Sequence, residues 1–215
     1  MSAFVFLNGH YYKNDACLVR HSITSERRKP TIIAVDGGIK FLQRVDTRPD
    51  YWVTDLDSAP KIKKGFLSGT ELFVYPSDKD KTDTELALDL CVTKNMKSVK
   101  LFGWYDANGE TDHLLGNLFL GINPAFSCQL SLEFINSRQT VIPIHRGRIT
   151  IRNKKGYGLS VLPIQGETRV SLSGVKYKAR QLSVFPGQTK SLRNVITAQK
   201  AIVEVTAPVL VILSS

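Results

Sequence analysis

An α/β domain followed by an all-β domain is the fold class this sequence predicts, and three observations predict it. Up to about residue 137, apolar runs of strand length alternate with segments of helical period. Beyond that point the helical period is gone, and short β-type runs follow one another, parted by Gly, Asn-Lys or Pro. The charge breaks at the same place. Residues 1–137 hold 16 Lys and Arg against 17 Asp and Glu, a net of −1, whereas residues 138–215 hold 13 against 2, a net of +11. Alternating strands and helices give a mostly parallel, Rossmann-like sheet covered on both faces. A succession of short strands closes into an antiparallel sandwich. The expected domains are therefore 1–137 and 138–215.

In the first domain AFVFLNG (3–9), TIIAVDGG (31–38), YWV (51–53), ELFVYP (71–76), SVKLFG (98–103) and LSLEFIN (130–136) read as strands, rich in β-branched and aromatic residues. IKFLQRV (39–45) sets Ile39, Leu42 and Val45 at helical spacing. TDTELALDLCVTKN (82–95) places Leu86, Ala87, Leu90 and Cys91 on one helical face, with Thr82 and Glu85 as a capping box at its start. TDHLLGNLFLGI (111–122) places Leu114, Leu115, Leu118, Phe119 and Ile122 on one face. In the second domain TVIPI, RITIRN, LSVLPI, RVSLSG, KYKARQLSVF, NVITA, AIVEV and VLVIL are the strand candidates.

Several classes are excluded. The start MSAFVFLNGHYYKND has no basic leader and only a short apolar run, so it is not read as a signal peptide. The longest apolar stretch, APVLVIL (207–213), is far short of a membrane span. Cys17, Cys91 and Cys128 form no CxxC and no even set, which points to a reducing, cytoplasmic setting. The four histidines do not cluster with them, so zinc is not expected. The basic second domain suits an anionic partner, but no helix-turn-helix, RNP or zinc-finger pattern accompanies it, and nucleic acid is not expected.

The acidic residues carry the chemistry. Asp36 ends one strand run, Asp55 and Asp57 end another, Asp78, Asp80 and Asp83 follow a fourth, and Asp112 follows the fifth. In a parallel sheet the carboxyl ends of the strands share one edge, where ligands bind. Aspartates far apart in sequence are thus expected to meet. If WVTD extends as a strand, Asp55 and Asp57 project to one side, roughly 6–7 Å apart at Cα; the alternative is a solvated Asp-rich turn. Clustered carboxylates repel unless a cation relieves them, and an oxygen-only set favours Mg²⁺ over zinc. Thr82 opens a helix whose free N–H groups suit phosphate, beside Lys79 and Lys81. There is no GxxxxGK[ST] and no GxGxxG. His113 is read either as a site residue or as a helix support, and Trp52 and Trp104 as core or pocket wall.

Together, V-DGG (35–38), T-DLDS (54–58), DKDKTDTELAL (78–88) and NGETDHLLGN (108–117) resemble the thiamin pyrophosphokinase family. That family shows DGG, then GD-hydrophobic-DS, then D-x-D-x-TD, then GGR-x-DH with a following Asn. The likeness extends to the β-rich tail, where SLRN (191–194) stands at the family's S-x-SN. The resemblance implies transfer of the pyrophosphoryl group of ATP to the hydroxyl of thiamin, giving thiamin diphosphate and AMP. It implies Mg²⁺ and ATP in the α/β domain, and a homodimer with thiamin at the interface. The implied metal carboxylates are Asp55, Asp57 and Asp80, and the implied catalytic set is Asp57, Asp80, Asp83 and Asp112. Asp36, Gly37, Gly38, Lys79, Lys81, Thr82, His113 and Asn117 fall on the ATP side; Ser191 and Asn194 face thiamin.

The chain departs from the pattern at named positions. Thr54 stands for Gly before the first metal Asp, Asn108 and Glu110 for Gly and Arg, and Arg193 for the second Ser. Two further readings stand beside the first: a pyrophosphokinase with another acceptor alcohol such as a pterin, and a non-catalytic nucleotide-binding regulator.

Overall fold

β1 (Ser2–Phe6) and β2 (Thr31–Val35) are buried over four of their five residues, as expected of strands covered on both faces. They belong to a computed structural model that describes residues 1–57, 60–105 and 111–215. The chain divides into two units: residues 1–120 with 128–137, and residues 121–127 with 138–215.

The first unit is built on a parallel sheet completed by β3 (Tyr51–Thr54), β4 (Glu71–Val74), β5 (Ser98–Phe102) and β6 (Ser131–Ile135), in the order β4-β3-β2-β1-β5-β6. From β1 the chain steps outward through β2, β3 and β4, then returns to add β5 and β6 on the other side of β1. That reversal makes the gap between β1 and β5 the topological switch point, where ligands bind in such sheets. Helices α1 (Asp15–Ser25), α2 (Gly38–Arg44) and α3 (Asp83–Thr93) make the crossovers, and α4 (Thr111–Leu120) follows β5. The core is aromatic at this point. Phe6 stacks on Phe102 at 5.1 Å and on Phe41 at 6.0 Å, and Tyr11 lies on Phe41 at 3.9 Å.

Thr82 caps α3 as expected, its hydroxyl accepting the Glu85 N–H at 3.2 Å. α1 was not expected. Its apolar pattern is broken by His21, Ser22 and Thr24, and it is fastened by a buried acid: Asp15 accepts N–H groups from Tyr12 at 2.8 Å and Ser137 at 2.7 Å. The face expected on α4 is only partly covered. Leu118 is buried, whereas Leu115 and Phe119 stand 43% and 45% exposed.

The second unit holds the short helix α5 (Pro124–Ser127) and two antiparallel sheets. One carries β7 (Gln139–Ile144), β9 (Gly158–Pro163), β12 (Asn194–Val195) and β14 (Val209–Ser214); the other carries β8 (Gly147–Arg152), β10 (Thr168–Ser173), β11 (Ala179–Val184) and β13 (Lys200–Val205). Burial alternates along β9, β10 and β13, the mark of a sandwich with one wet face per sheet. Leu159, Val161 and Val211 from one sheet share a core with Val170, Leu172 and Val203 from the other. Among the described residues no helix is long and apolar enough to cross a membrane.

Candidate active site

A cleft of about 620 Å³ opens at the switch point of the first unit. The chain leaving β1 supplies Asn8 and Gly9, β2 supplies Asp36, and β5 supplies Gly103 and Trp104. The first turn of α3 adds Thr82, Asp83, Thr84 and Glu85, and α4 adds Asp112, His113 and Asn117.

Asp36 sits in the left-handed region, with φ at 43°. Its backbone is held from two sides: its N–H donates to the Val53 carbonyl at 2.9 Å, and its carbonyl accepts the Trp52 indole N–H at 3.1 Å. Gly37 and Gly38 then pass close to the end of β1. A Cβ on Gly38 would overlap the Phe6 carbonyl oxygen, and one on Gly37 would overlap the Asn8 side chain. The close approach the glycines permit here is thus to the protein's own chain.

β3 ends at Thr54, and this corrects the extended reading of Asp55 and Asp57. Leu56 has φ 67°, and the Asp57 N–H donates to Asp55 Oδ1 at 3.0 Å. The segment is an Asp turn, because side-chain-to-backbone bonds two residues apart wind the chain out of the strand. The turn separates the two acids: Asp55 is half-buried and faces inward, and Asp57 is exposed.

Two strand ends and a helix start do bring carboxylates together. Lys79 Nζ lies 3.0 Å from Asp83 Oδ1 and 4.0 Å from Asp55 Oδ2. Burial, then the charges of Asp83 and Asp55, push the Asp36 carboxyl up to about 7; the Thr54 hydroxyl acts the other way. Burial opposes the charge on Lys79, but Asp83, Asp55 and Asp36 outweigh it and hold the ammonium above its usual range. Lys81 turns away, 2.6 Å from Asp89 and 3.7 Å from Glu85. Asp78 and Asp80 are exposed. Asp112 accepts the backbone N–H of His113 at 2.9 Å.

The donor set fits a hard divalent cation. Asp36, Asp55 and Asp83 offer oxygen only, and Asp36 Oδ1 is buried without a hydrogen-bond partner among the described residues. Among the described residues no three His, Cys, Asp or Glu side chains are arranged to hold a metal unaided. Mg²⁺ does not require such a cage, since it takes one or two carboxylates and completes its shell with water and phosphate.

Ser191 and Asn194 lie in the second unit and are buried, at 4% and 6% exposure. Ser191 donates to the Val161 carbonyl at 2.7 Å. Asn194 accepts the Tyr177 N–H at 3.0 Å, donates to the Tyr177 carbonyl at 2.7 Å, and accepts the Val195 N–H at 2.9 Å. Ser58, Asn108 and Glu110 lie outside the described residues. The sequence reading missed Asn8, Gly9 and Glu85. The signal for the first two was present, because AFVFLNG ends at the same sheet edge as the acids.

Known proteins agree with this architecture. The model of the family "thiamin pyrophosphokinase, catalytic domain" matches residues 25–132, half of the chain. The thiamine pyrophosphokinase of Bacillus subtilis is 26% identical over 167 residues, spanning 75% of this chain and 76% of that protein. A solved structure of the Bacillus subtilis thiamine pyrophosphokinase covers 100% of this chain and 99% of its own at 20% identity, with a TM-score of 0.84. That of the thiamin pyrophosphokinase from Geobacillus thermodenitrificans covers 100% and 98% at 23% identity, with a TM-score of 0.81. At those identities the two structures speak to the fold. The chain belongs to the thiamin pyrophosphokinase family of ATP-dependent pyrophosphotransferases.

Proposed function

We propose that this chain transfers the pyrophosphoryl group of ATP to the hydroxyl of thiamin, releasing AMP, with Mg²⁺ in the cleft of the first unit. One observation supports the metal most strongly. The described residues lining the cleft include Asp36, Asp83, Glu85 and Asp112 and no Lys or Arg. A polyphosphate brings several negative charges, so cations that accompany it favour its entry into such a cleft.

In this reading Asp55 is the foremost metal carboxylate, with Asp36 and Asp83 beside it. Asp57 and Asp80, both exposed, would act on the metal through water. The metal these residues would hold would supply charge neutralisation at the phosphates, which eases attack at the β-phosphorus. The N–H groups at the start of α3 receive phosphate oxygens. Lys79 sits where it can neutralise charge on the transferred group. Asp112 and Asn117 orient the nucleotide or the acceptor hydroxyl, and His113 supports them at the start of α4. Ser191 and Asn194 act on thiamin through the chain they hold, since their own polar atoms are engaged with backbone. The open Leu115 and Phe119 support a homodimer, because exposed apolar pairs favour association.

An acceptor assay tests the reading. Purified protein with ATP and Mg²⁺ is offered thiamin and, separately, a pterin alcohol. Thiamin diphosphate from the first and no pyrophosphorylated product from the second is the expected result. The reverse preference overturns thiamin as the acceptor while leaving the transfer chemistry in place.

A further inference from the structure

Leu56 presents a question that the proposed reaction leaves open. Its φ of 67° lies in a region that side-chain-bearing residues avoid. It is 41% exposed, so apolar burial does not hold it there. Two hydrogen bonds do. Thr54 Oγ1 accepts the Leu56 N–H at 3.1 Å, and Asp55 Oδ1 accepts the Asp57 N–H at 3.0 Å.

The two bonds are not equivalent. The second uses a carboxylate oxygen that a cation would also seek. The first comes from an uncharged hydroxyl, for which a metal at Asp55 does not compete. Thr54 is 2% exposed and fixed at the end of β3, its carbonyl accepting the Tyr75 N–H at 3.0 Å. The same hydroxyl acts on the Asp36 carboxylate from the neighbouring strand. A hydroxyl that accepts an N–H still has its own proton to donate, so holding Leu56 leaves Thr54 able to favour the charged Asp36.

We propose that Thr54 is a positioning residue of the acidic site, its hydroxyl holding the Thr54–Asp57 turn so that Asp55 is presented beside Asp36, Lys79 and Asp83. The proposal rests on the metal-dependent reading above. It gives a role to the side chain that replaces glycine in the family pattern: the hydroxyl supplies a fixed anchor that glycine lacks.

The test compares wild type, Thr54→Val, which keeps the shape and loses the hydroxyl, and Thr54→Ser, which keeps the hydroxyl. Melting temperature is followed against Mg²⁺ at fixed ATP, and hydrogen exchange at the Leu56 amide is measured without either. Thr54 acts on Asp55 through the backbone of the turn, and the scale for loss of such support around a metal ligand is about 10–100-fold in metal affinity. Thr54→Val is expected to raise the half-saturating Mg²⁺ concentration at least tenfold and to speed Leu56 exchange, while Thr54→Ser stays within about twofold of wild type, the range of a retained hydroxyl bond. A Thr54→Val midpoint and exchange rate equal to wild type overturn the proposal and leave the proposed function standing. A wild type whose melting does not respond to Mg²⁺ and ATP overturns both.

Discussion

Lys79 Nζ stands 3.0 Å from Asp83 Oδ1, four residues further along the chain. The pair ties the loop after β4 to the first turn of α3. It also places an ammonium among three carboxylates that burial and mutual repulsion would otherwise make costly. Replacing Lys79 with Met should therefore have two opposite effects. Metal affinity of the nucleotide-free protein should rise, since the competing cation is gone. Turnover should fall by about 10²-fold, the usual effect of losing a group that stabilises developing charge. Calorimetric Mg²⁺ titration and steady-state rates check the two effects separately.

Asp36 gives the metal-free protein a pH-dependent contribution to stability. Its folded carboxyl is pushed up to about 7 from a reference of 3.8. Between those values the folded chain keeps a proton that the unfolded chain has released. Its contribution to stability is thus full below the reference value and is lost as pH rises through about 7. Thermal melts without metal should show wild type losing more stability from pH 5, inside that interval, to pH 8, above it, than Asp36→Asn does. Mg²⁺ with ATP should raise the wild-type melting temperature more at the higher pH, because the cation and the proton compete for one carboxylate. Parallel curves for wild type and variant would show that Asp36 does not titrate in this range.

Asn194 is predicted to matter first to folding. Its side chain makes three hydrogen bonds to backbone while 6% exposed. Asn194→Ala leaves those groups unpaired, at about 1–3 kcal/mol for a buried polar group. Denaturant unfolding gives that figure directly. If Asn194 also serves thiamin through Tyr177, the KM for thiamin rises and the KM for ATP stays put.

Gly38 and Gly116 should separate fold from site. Gly38→Ala drives a Cβ into the Phe6 carbonyl, so it should lower expression and melting temperature. At Gly116 a Cβ meets nothing within 4 Å, although the residue lines the cleft. Gly116→Ala should stabilise α4 by about 0.8–1.0 kcal/mol, the helix-propensity difference, while raising the KM for ATP. Melting curves and kinetics on the two variants make the comparison.

The thiols give a simple check on burial. Cys91 is buried, which pushes its thiol up to about 12, and Cys17 and Cys128 are exposed. A thiol reagent should modify Cys17 and Cys128 in the native protein and reach Cys91 only on unfolding.

Much of this was legible in the sequence, and the reasons differ by residue. Asp36, Asp55 and Asp83 could be brought together on paper because parallel topology carries successive strand ends to one edge. The eight β-runs of the second domain were legible because a half-buried strand must alternate. The turn at Leu56 was not, since a leucine argues against a left-handed backbone and only the Thr54 and Asp55 side chains reverse that preference. α1 was hidden because its anchor is a buried aspartate, which composition reads as surface. Ser191 and Asn194 are polar residues turned inward, and pattern alone does not say which way a polar side chain in or beside so short a strand faces. Asp57 and Asp80 shared their motifs with Asp55 and Asp83, yet the turns leave them exposed.

The most direct measurement follows the label in ATP. With Mg²⁺ and thiamin, γ-labelled ATP should place its label in thiamin diphosphate, α-labelled ATP should yield labelled AMP in equal amount, and a chelator should abolish both. Label appearing as free phosphate with ADP, or in thiamin monophosphate, would contradict attack at the β-phosphorus and with it the proposed role of the acidic cleft.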